Sequence, residues 1–217
     1  MSGDWLSYRL ADFIPVTPEV YFRLVERVNA AWWPLQLLAG ALGLVALALA
    51  WRGRSRFALA LLAPAWAASG VVFHLQRYAE LNWAAVYFGG AFLVQAVLLL
   101  ALALFGRDPG RRPGATPRAV TGAALALFGL VAYPVVTAVA GDGWSRAEVF
   151  GLHPDPTAVA TLGMVLLALT GARAWLALAL PLLWLLVASL TLVALQAAWA
   201  WLLPGVVLVA LVAIAAG

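Results

Sequence analysis

Apolar residues fill seven stretches of the chain, and most of these stretches are about as long as a helix that crosses a membrane. They cover residues 31–51, 57–76, 83–105, 119–140, 157–172, 174–195 and 198–216. Crossing the hydrocarbon core takes roughly 20 apolar residues. The fifth stretch is short, and the last two form one run that is broken by Gln196 and the pair Trp199 and Trp201. The pattern predicts an all-α, polytopic transmembrane bundle of seven spans, with six as the alternative.

The first 30 residues differ from the rest because they carry many charges and contain no long apolar run. Thr17 followed by Pro18 is typical of a helix start. After it, apolar and charged residues fall on opposite helical faces, with Glu19 and Arg23 at the spacing of an ion pair. The apolar face holds Val20, Tyr21, Leu24, Val25 and Val28, and the charged face holds Glu19, Arg23, Glu26 and Arg27. We expect residues 1–30 to form an interfacial amphipathic segment on the outer face, or a plain lead-in to the first span, and residues 31–217 to form the transmembrane domain.

Arginine is distributed unevenly between the predicted loops. The breaks after spans one, three and five hold Arg52, Arg54, Arg56, Arg107, Arg111, Arg112, Arg118 and Arg173 against the single acid Asp108. Short loops rich in arginine remain in the cytoplasm. The N-terminus is therefore expected outside and the C-terminus inside, in a multi-pass protein of the cytoplasmic (inner) membrane of a bacterium.

Composition narrows the classes of protein further. The chain is 65% hydrophobic and only 10% charged, with a mean hydropathy of +0.99, whereas soluble domains are about 25% charged. Cysteine and lysine are absent and there are two histidines, which excludes disulfides, Schiff-base lysines and a three-histidine zinc site. The topology explains the high pI, so we expect no nucleic-acid partner, and we expect neither a metal nor a cofactor.

Polar residues that the topology does not explain concentrate in two outer segments, residues 73–83 and 142–157. His74, Arg77 and Tyr78 would share a helical face, and an ionisable residue inside a span indicates a functional site by default. Asp155 before Pro156 predicts a helix N-cap. A neutral, satisfied histidine and a solvated loop pair remain the structural alternatives. The predicted substrate-binding residues are His74, Gln76, Arg77, Tyr78, Glu80, Asn82, Arg146 and Glu148; no catalytic residue is assigned.

The same segments carry a resemblance to a known family. The matching features are Gln76-Arg77-Tyr78-Ala79 with Asn82-Trp83-Ala84-Ala85, the stretch from Glu148 to Leu152 running into Pro154-Asp155-Pro156, and the amphipathic start from Tyr8 to Trp33. In these features the chain resembles a family of uncharacterised bacterial polytopic membrane proteins, a domain of unknown function. Some of its members are loosely labelled permease. His153 departs from the family pattern. The resemblance implies a membrane protein with no established reaction.

These observations favour an integral membrane protein with an outward-facing polar pocket. The expected function is a permease or channel for a small polar or anionic solute. One alternative is an outer-leaflet enzyme or binding module that acts on lipid, with His74 as general base. The other is a structural subunit of a larger membrane complex. The expected partners are the lipid bilayer and such a solute, with an oligomer or partner subunits left open.

Overall fold

A computed structural model describes residues 16–106 and 113–216, and all regular structure in that part of the chain is helical. The helices are α1 (Pro18–Ala31), α2 (Leu35–Trp51), α3 (Ser55–Ala68), α4 (Ala85–Phe105), α5 (Pro117–Ala140), α6 (Pro154–Ala168), α7 (Gly171–Ala194) and α8 (Leu202–Ala215). Predictions that concern residues 1–15, and those for Arg107, Asp108, Arg111 and Arg112, lie outside the described residues. The predicted all-α class is confirmed.

Four helical segments are long and apolar enough to cross a membrane. They are Ser55–Glu80, which extends α3, together with α4, α5 and α7. The remaining three predicted spans correspond to α2, α6 and α8, which are apolar but have only 17, 15 and 14 residues. Helices α1 and α2 meet at a bend of 88° at the break between them. Taken together, the two helices are also long and apolar enough to cross a membrane.

Helix α1 lies against one end of the bundle, which we call the α1 end. The Thr17 side chain accepts a hydrogen bond from the Val20 N–H, and Pro18 stands in the first turn, as predicted. Tyr21, Leu24, Val25 and Val28 are buried as predicted and pack on Phe73, Tyr78, Leu152 and Leu195. Val20 was predicted on the same face, but it is exposed. Glu19 and Arg23 do not form an ion pair. Among the described residues, the ion pair is between Arg146 and Glu26. The place of α1 in the membrane interface stays a prediction.

Helix α6 is the centre of the bundle. Every residue from Pro154 to Ala168 is buried, and the helix packs against α2, α3, α5, α7 and α8. Its closest neighbour is α5, where a Cβ added at Gly163 would collide with the backbone of Gly122 and Ala126. Small residues allow two membrane helices to approach closely. Helix α6 is therefore surrounded by protein on every side.

Two helices contain π-helical turns. Helix α3 continues into a π-helical segment at Ser69–Leu75, and α5 contains one at Phe128–Ala132. Both segments contact α6. A π turn is wider than an α turn, and such turns are frequent at functional sites. They also change which residues share a face, so a regular helical repeat does not describe these stretches.

The predicted break in the last apolar run is confirmed. Helix α7 ends at Ala194 and α8 begins at Leu202. Between them Gln196 adopts a left-handed backbone conformation with φ of 55°. The two helices pack against each other and α8 also packs on α5, so the run forms the expected helical hairpin.

Candidate functional site

A buried polar cluster lies where the loop before α6 enters the bundle. Glu148, His153 and Asp155 are at most 1% exposed. The Asp155 carboxylate accepts hydrogen bonds from the Tyr133 hydroxyl at 3.2 Å and from Trp184 Nε1 at 2.8 Å. The predicted role of Asp155 as an N-cap is wrong, because His153 occupies the N-cap position and Asp155 joins α5 to α7 instead.

Side chains hold the loop of residues 147–153 inside the bundle. Gly151 has φ of 82°, a conformation that favours glycine. Buried backbone N–H groups need acceptors, and three in this loop find one on a side chain. Glu148 N–H donates to Thr137 Oγ1 at 2.9 Å, Val149 N–H to His153 Nδ1 at 3.0 Å, and Gly151 N–H to Thr157 Oγ1 at 2.8 Å. The loop is thus part of the core.

The Glu148 carboxyl group is buried without compensation. Neither of its oxygens has a hydrogen-bond partner among the described residues. A charged carboxylate is costly in such a place, so burial beside Asp155 favours the protonated form of Glu148.

His74 lies within an aromatic cage at the end of α3. Both ring nitrogens are buried and have no hydrogen-bond partner among the described residues. The ring contacts Phe73, Tyr78, Phe88, Phe92 and Trp184, with the nearest ring centroid at 4.7 Å. This enclosure gives His74 no contact with the surface, so the geometry offers no support for His74 as a general base.

The buried cluster is almost closed. A cavity of about 20 Å³ lies beside Asp155, lined in part by Tyr21, Tyr78 and Trp184. A volume of this size holds about one water molecule. Among the described residues, no group of three or more histidine, aspartate or glutamate side chains is placed to hold a metal ion.

The turn after α3 divides its residues between the core and the surface. Tyr78 is buried beside His74, and its hydroxyl accepts a hydrogen bond from Asn82 Nδ2 at 3.2 Å. Arg77 does not share this environment, because the π-helical segment ends at Leu75 and Arg77 lies in the following turn. Arg77 and Glu80 instead line a surface depression, and Gln76 is exposed.

Arg146 lies at α1. Its Nε donates to Glu26 Oε1 at 2.6 Å, and the guanidinium stands 5.9 Å from the centre of the Phe22 ring. The predicted binding residues therefore occupy several places. His74, Tyr78 and Glu148 are buried, and Asn82 lies beside Tyr78. Arg77 and Glu80 line the surface depression. Gln76 lies at the surface near α2, and Arg146 lies at the surface near α1.

Two lateral grooves flank α2. The first groove has a volume of about 620 Å³ and lies between α2 and α5; the second has about 470 Å³ and lies between α2 and α3. Phe150, from the buried loop, lines both grooves. The walls are mainly apolar, but Glu26, Asn29, Gln36 and Ser145 line the first groove near α1. Volumes of 300–1,000 Å³ are typical of ligand sites.

Sequence reasoning did not single out the residues of the first groove. Asn29 and Gln36 stand seven residues apart where the first apolar stretch begins, and that spacing places two polar side chains near each other on a helix. Gln36 Nε2 donates to the Asn29 carbonyl at 2.7 Å. Nothing in the sequence indicated that Trp184 belongs to the site, because a tryptophan among leucines is typical of a residue that faces lipid.

Comparison with known proteins identifies the family. No curated protein and no solved structure matches the chain. A family model matches residues 18–216, from the start of α1 to the end of α8. The match includes the buried loop, the α3 turn and both walls of the grooves. The chain therefore belongs to a family of unknown function (DUF6064).

Proposed function

We propose that this protein binds a membrane amphiphile in the first groove, with the headgroup beside α1 and the apolar chain along α2. One observation carries the proposal: a groove of about 620 Å³ opens sideways between two apolar helices and has polar residues only near α1. This polarity matches that of a lipid, which has one polar end and one apolar end.

The proposal places all seven apolar helices, α2 to α8, in the inner membrane of a bacterium, with α1 at the outer face. The arginines of the opposite end support this orientation. There Arg118 Nε and Nη2 donate to carbonyls at the end of α6, at 3.2 and 2.8 Å. Helix α6 is about 22 Å long at 1.5 Å per residue, which is shorter than the hydrocarbon core. The buried loop completes the crossing, as irregular backbone can within protein.

The polar end of the groove favours a headgroup that donates hydrogen bonds. Gln36 Oε1 is buried and has no partner among the described residues. The Asn29 amide is already used, because its Nδ2 donates to the carbonyls of Ser145 and Ala147 at 2.9 and 2.8 Å. Glu26 adds a carboxylate at the same end, and one of its oxygens already accepts a hydrogen bond from Arg146. Hydroxyl or ammonium groups are donors of the kind that these acceptors need.

A permease or channel for a small polar solute is the other function that the sequence suggests. A solute path through the bundle would run past Glu148 and Asp155. At that level the polar side chains are buried and the cavity holds about one water. This geometry favours the amphiphile over transport.

Gly40 offers a direct test of the groove. Gly40 lines its wall, and a Cβ added there meets no atom within 4 Å. Gly40→Leu therefore fills the groove without strain in the fold. Gly205 on α8 has equally open space and lies outside the groove, so Gly205→Leu is the matched control. The measurement is photo-crosslinking of a phosphatidylethanolamine with a diazirine in its acyl chain, followed by peptide mapping.

We expect crosslinks on residues 33–40 and 144–150 in the wild type and in Gly205→Leu. We expect at least a tenfold loss in Gly40→Leu, because the leucine occupies the space of the chain. Gln36→Leu should reduce labelling about fivefold, the value of one lost hydrogen bond of about 1 kcal/mol. Equal labelling of Gly40→Leu and the control would show that the groove is not the site.

A further inference from the structure

A basic depression lies on the side of α1 away from the first groove. It has a volume of about 210 Å³ and is lined by Arg23, Arg27 and Arg77, with Glu80 as the single acid. Two of the arginines come from α1, and the third comes from the turn after α3. Val20, Leu24 and Leu81 form the apolar part of the wall.

Among the residues that the structure describes, none of these three arginines forms an ion pair or a hydrogen bond. Other arginines do bind protein acceptors: Arg118 binds the Leu169 carbonyl at 2.8 Å and Arg146 binds Glu26 at 2.6 Å. Arg23 and Arg27 also repel each other, since like charges four residues apart destabilise a helix.

Buried neighbours hold the depression in place. Leu24 is 5% exposed and packs in the apolar cluster beneath α1, next to the arginines of that helix. Tyr78, also 5% exposed, fixes the turn that carries Arg77. The core thus sets the backbone positions of all three arginines, and the three residues line the depression. A planar guanidinium binds two phosphate oxygens at once.

We propose that Arg23, Arg27 and Arg77 form a binding site for a phosphate group. The phosphate neutralises the positive charge that the protein leaves unpaired, and the apolar wall accommodates the part of the molecule attached to it. The site is separate from the amphiphile groove, which uses Glu26, Asn29 and Ala30 on another side of α1. The phosphate belongs either to a membrane lipid headgroup or to a free phosphate compound, and the ligand chemistry is the same.

The test uses the full chain in micelles of dodecyl maltoside, a detergent that carries no phosphate group. Isothermal titration calorimetry measures binding of two probes, inorganic phosphate and the short-chain lipid dihexanoyl phosphatidic acid. The test variant is Arg27→Gln with Arg77→Gln, which keeps the length and polarity of the side chains. The control is Arg52→Gln with Arg54→Gln, which removes two exposed arginines from the opposite end. All four positions are at the surface, so folding is checked by equal melting temperatures.

We expect about a tenfold weaker Kd for each arginine removed, since hydrogen bonds to charged groups are among the strongest that a side chain makes. The control variant should bind like the wild type. Binding of both probes supports a site for free phosphate; binding of phosphatidic acid alone supports a lipid headgroup. The proposal is overturned if neither probe binds, or if the test variant and the control bind equally. Gly40→Leu should leave this site intact, so the two proposals fail separately.

Discussion

The two polar segments that stand out in the sequence have opposite positions in the fold. In the α3 turn, Gln76 and Glu80 are exposed and Arg77 lines a surface depression. In the loop before α6 and the first turn of that helix, Glu148, His153 and Asp155 are buried. Both segments contain acids, bases and aromatic residues. Their polarity alone does not distinguish them.

The difference lies in the partners of each segment. The loop before α6 and Asp155 in the first turn of that helix find hydrogen-bond partners on three helices: Thr137 and Tyr133 on α5, Thr157 on α6 and Trp184 on α7. Polar groups can be buried when such partners are present. In the α3 turn, Arg77 and Glu80 lie beside Arg23 and Arg27 of α1 in the surface depression.

The largest expected effect concerns Asp155. Asp155→Ala removes the acceptor of two donors, the buried Tyr133 hydroxyl and the half-buried Trp184 Nε1. Each unsatisfied group costs about 1–3 kcal/mol, so we expect the free energy of unfolding to fall by about 3 kcal/mol. Thermal unfolding in detergent measures it. Asp155→Asn keeps an acceptor oxygen and should lose less. If the alanine variant melted with the wild type, the loop would not be held by Asp155.

The smallest effect is expected in the α3 turn. Gln76→Ala and Glu80→Ala should each change the free energy of unfolding by no more than about 0.5 kcal/mol, since both side chains are exposed. The same unfolding assay applies, with Asp155→Ala as the sensitive reference. If either substitution lowered the free energy of unfolding by about 2 kcal/mol or more, the effect would equal that of leaving a buried polar group without a partner. The two segments would then not differ.

Hydrophobic patterning was enough to predict the helices. The start of α1 at Thr17 and Pro18 and the break at Gln196 both follow from local signals, a cap and the end of an apolar run. The environment of His74 did not follow, because the π-helical segment and the turn after it place Tyr78 in the core and Arg77 at the surface. A regular helical repeat had predicted Arg77 and Tyr78 on the same face as His74.

The candidate sites depended on contacts between distant parts of the chain. Asp155 looked like a cap because Pro156 follows it, and nothing nearby in sequence announces Tyr133 or Trp184 as its donors. The grooves are spaces between helices, which no single segment encodes. Arg77 was singled out, but its association with Arg23 and Arg27 required the packing of α1 against the α3 turn.

The complete burial of α6 has a consequence for the residues that this helix can contain. In the membrane placement proposed above, the outer helices face lipid, and a polar side chain there must compete with hydrocarbon. Helix α6 faces only the rest of the protein. Asp155, Thr157 and Thr161 all form hydrogen bonds there. In that placement, the helix best shielded from the bilayer is therefore the one that can best contain polar residues.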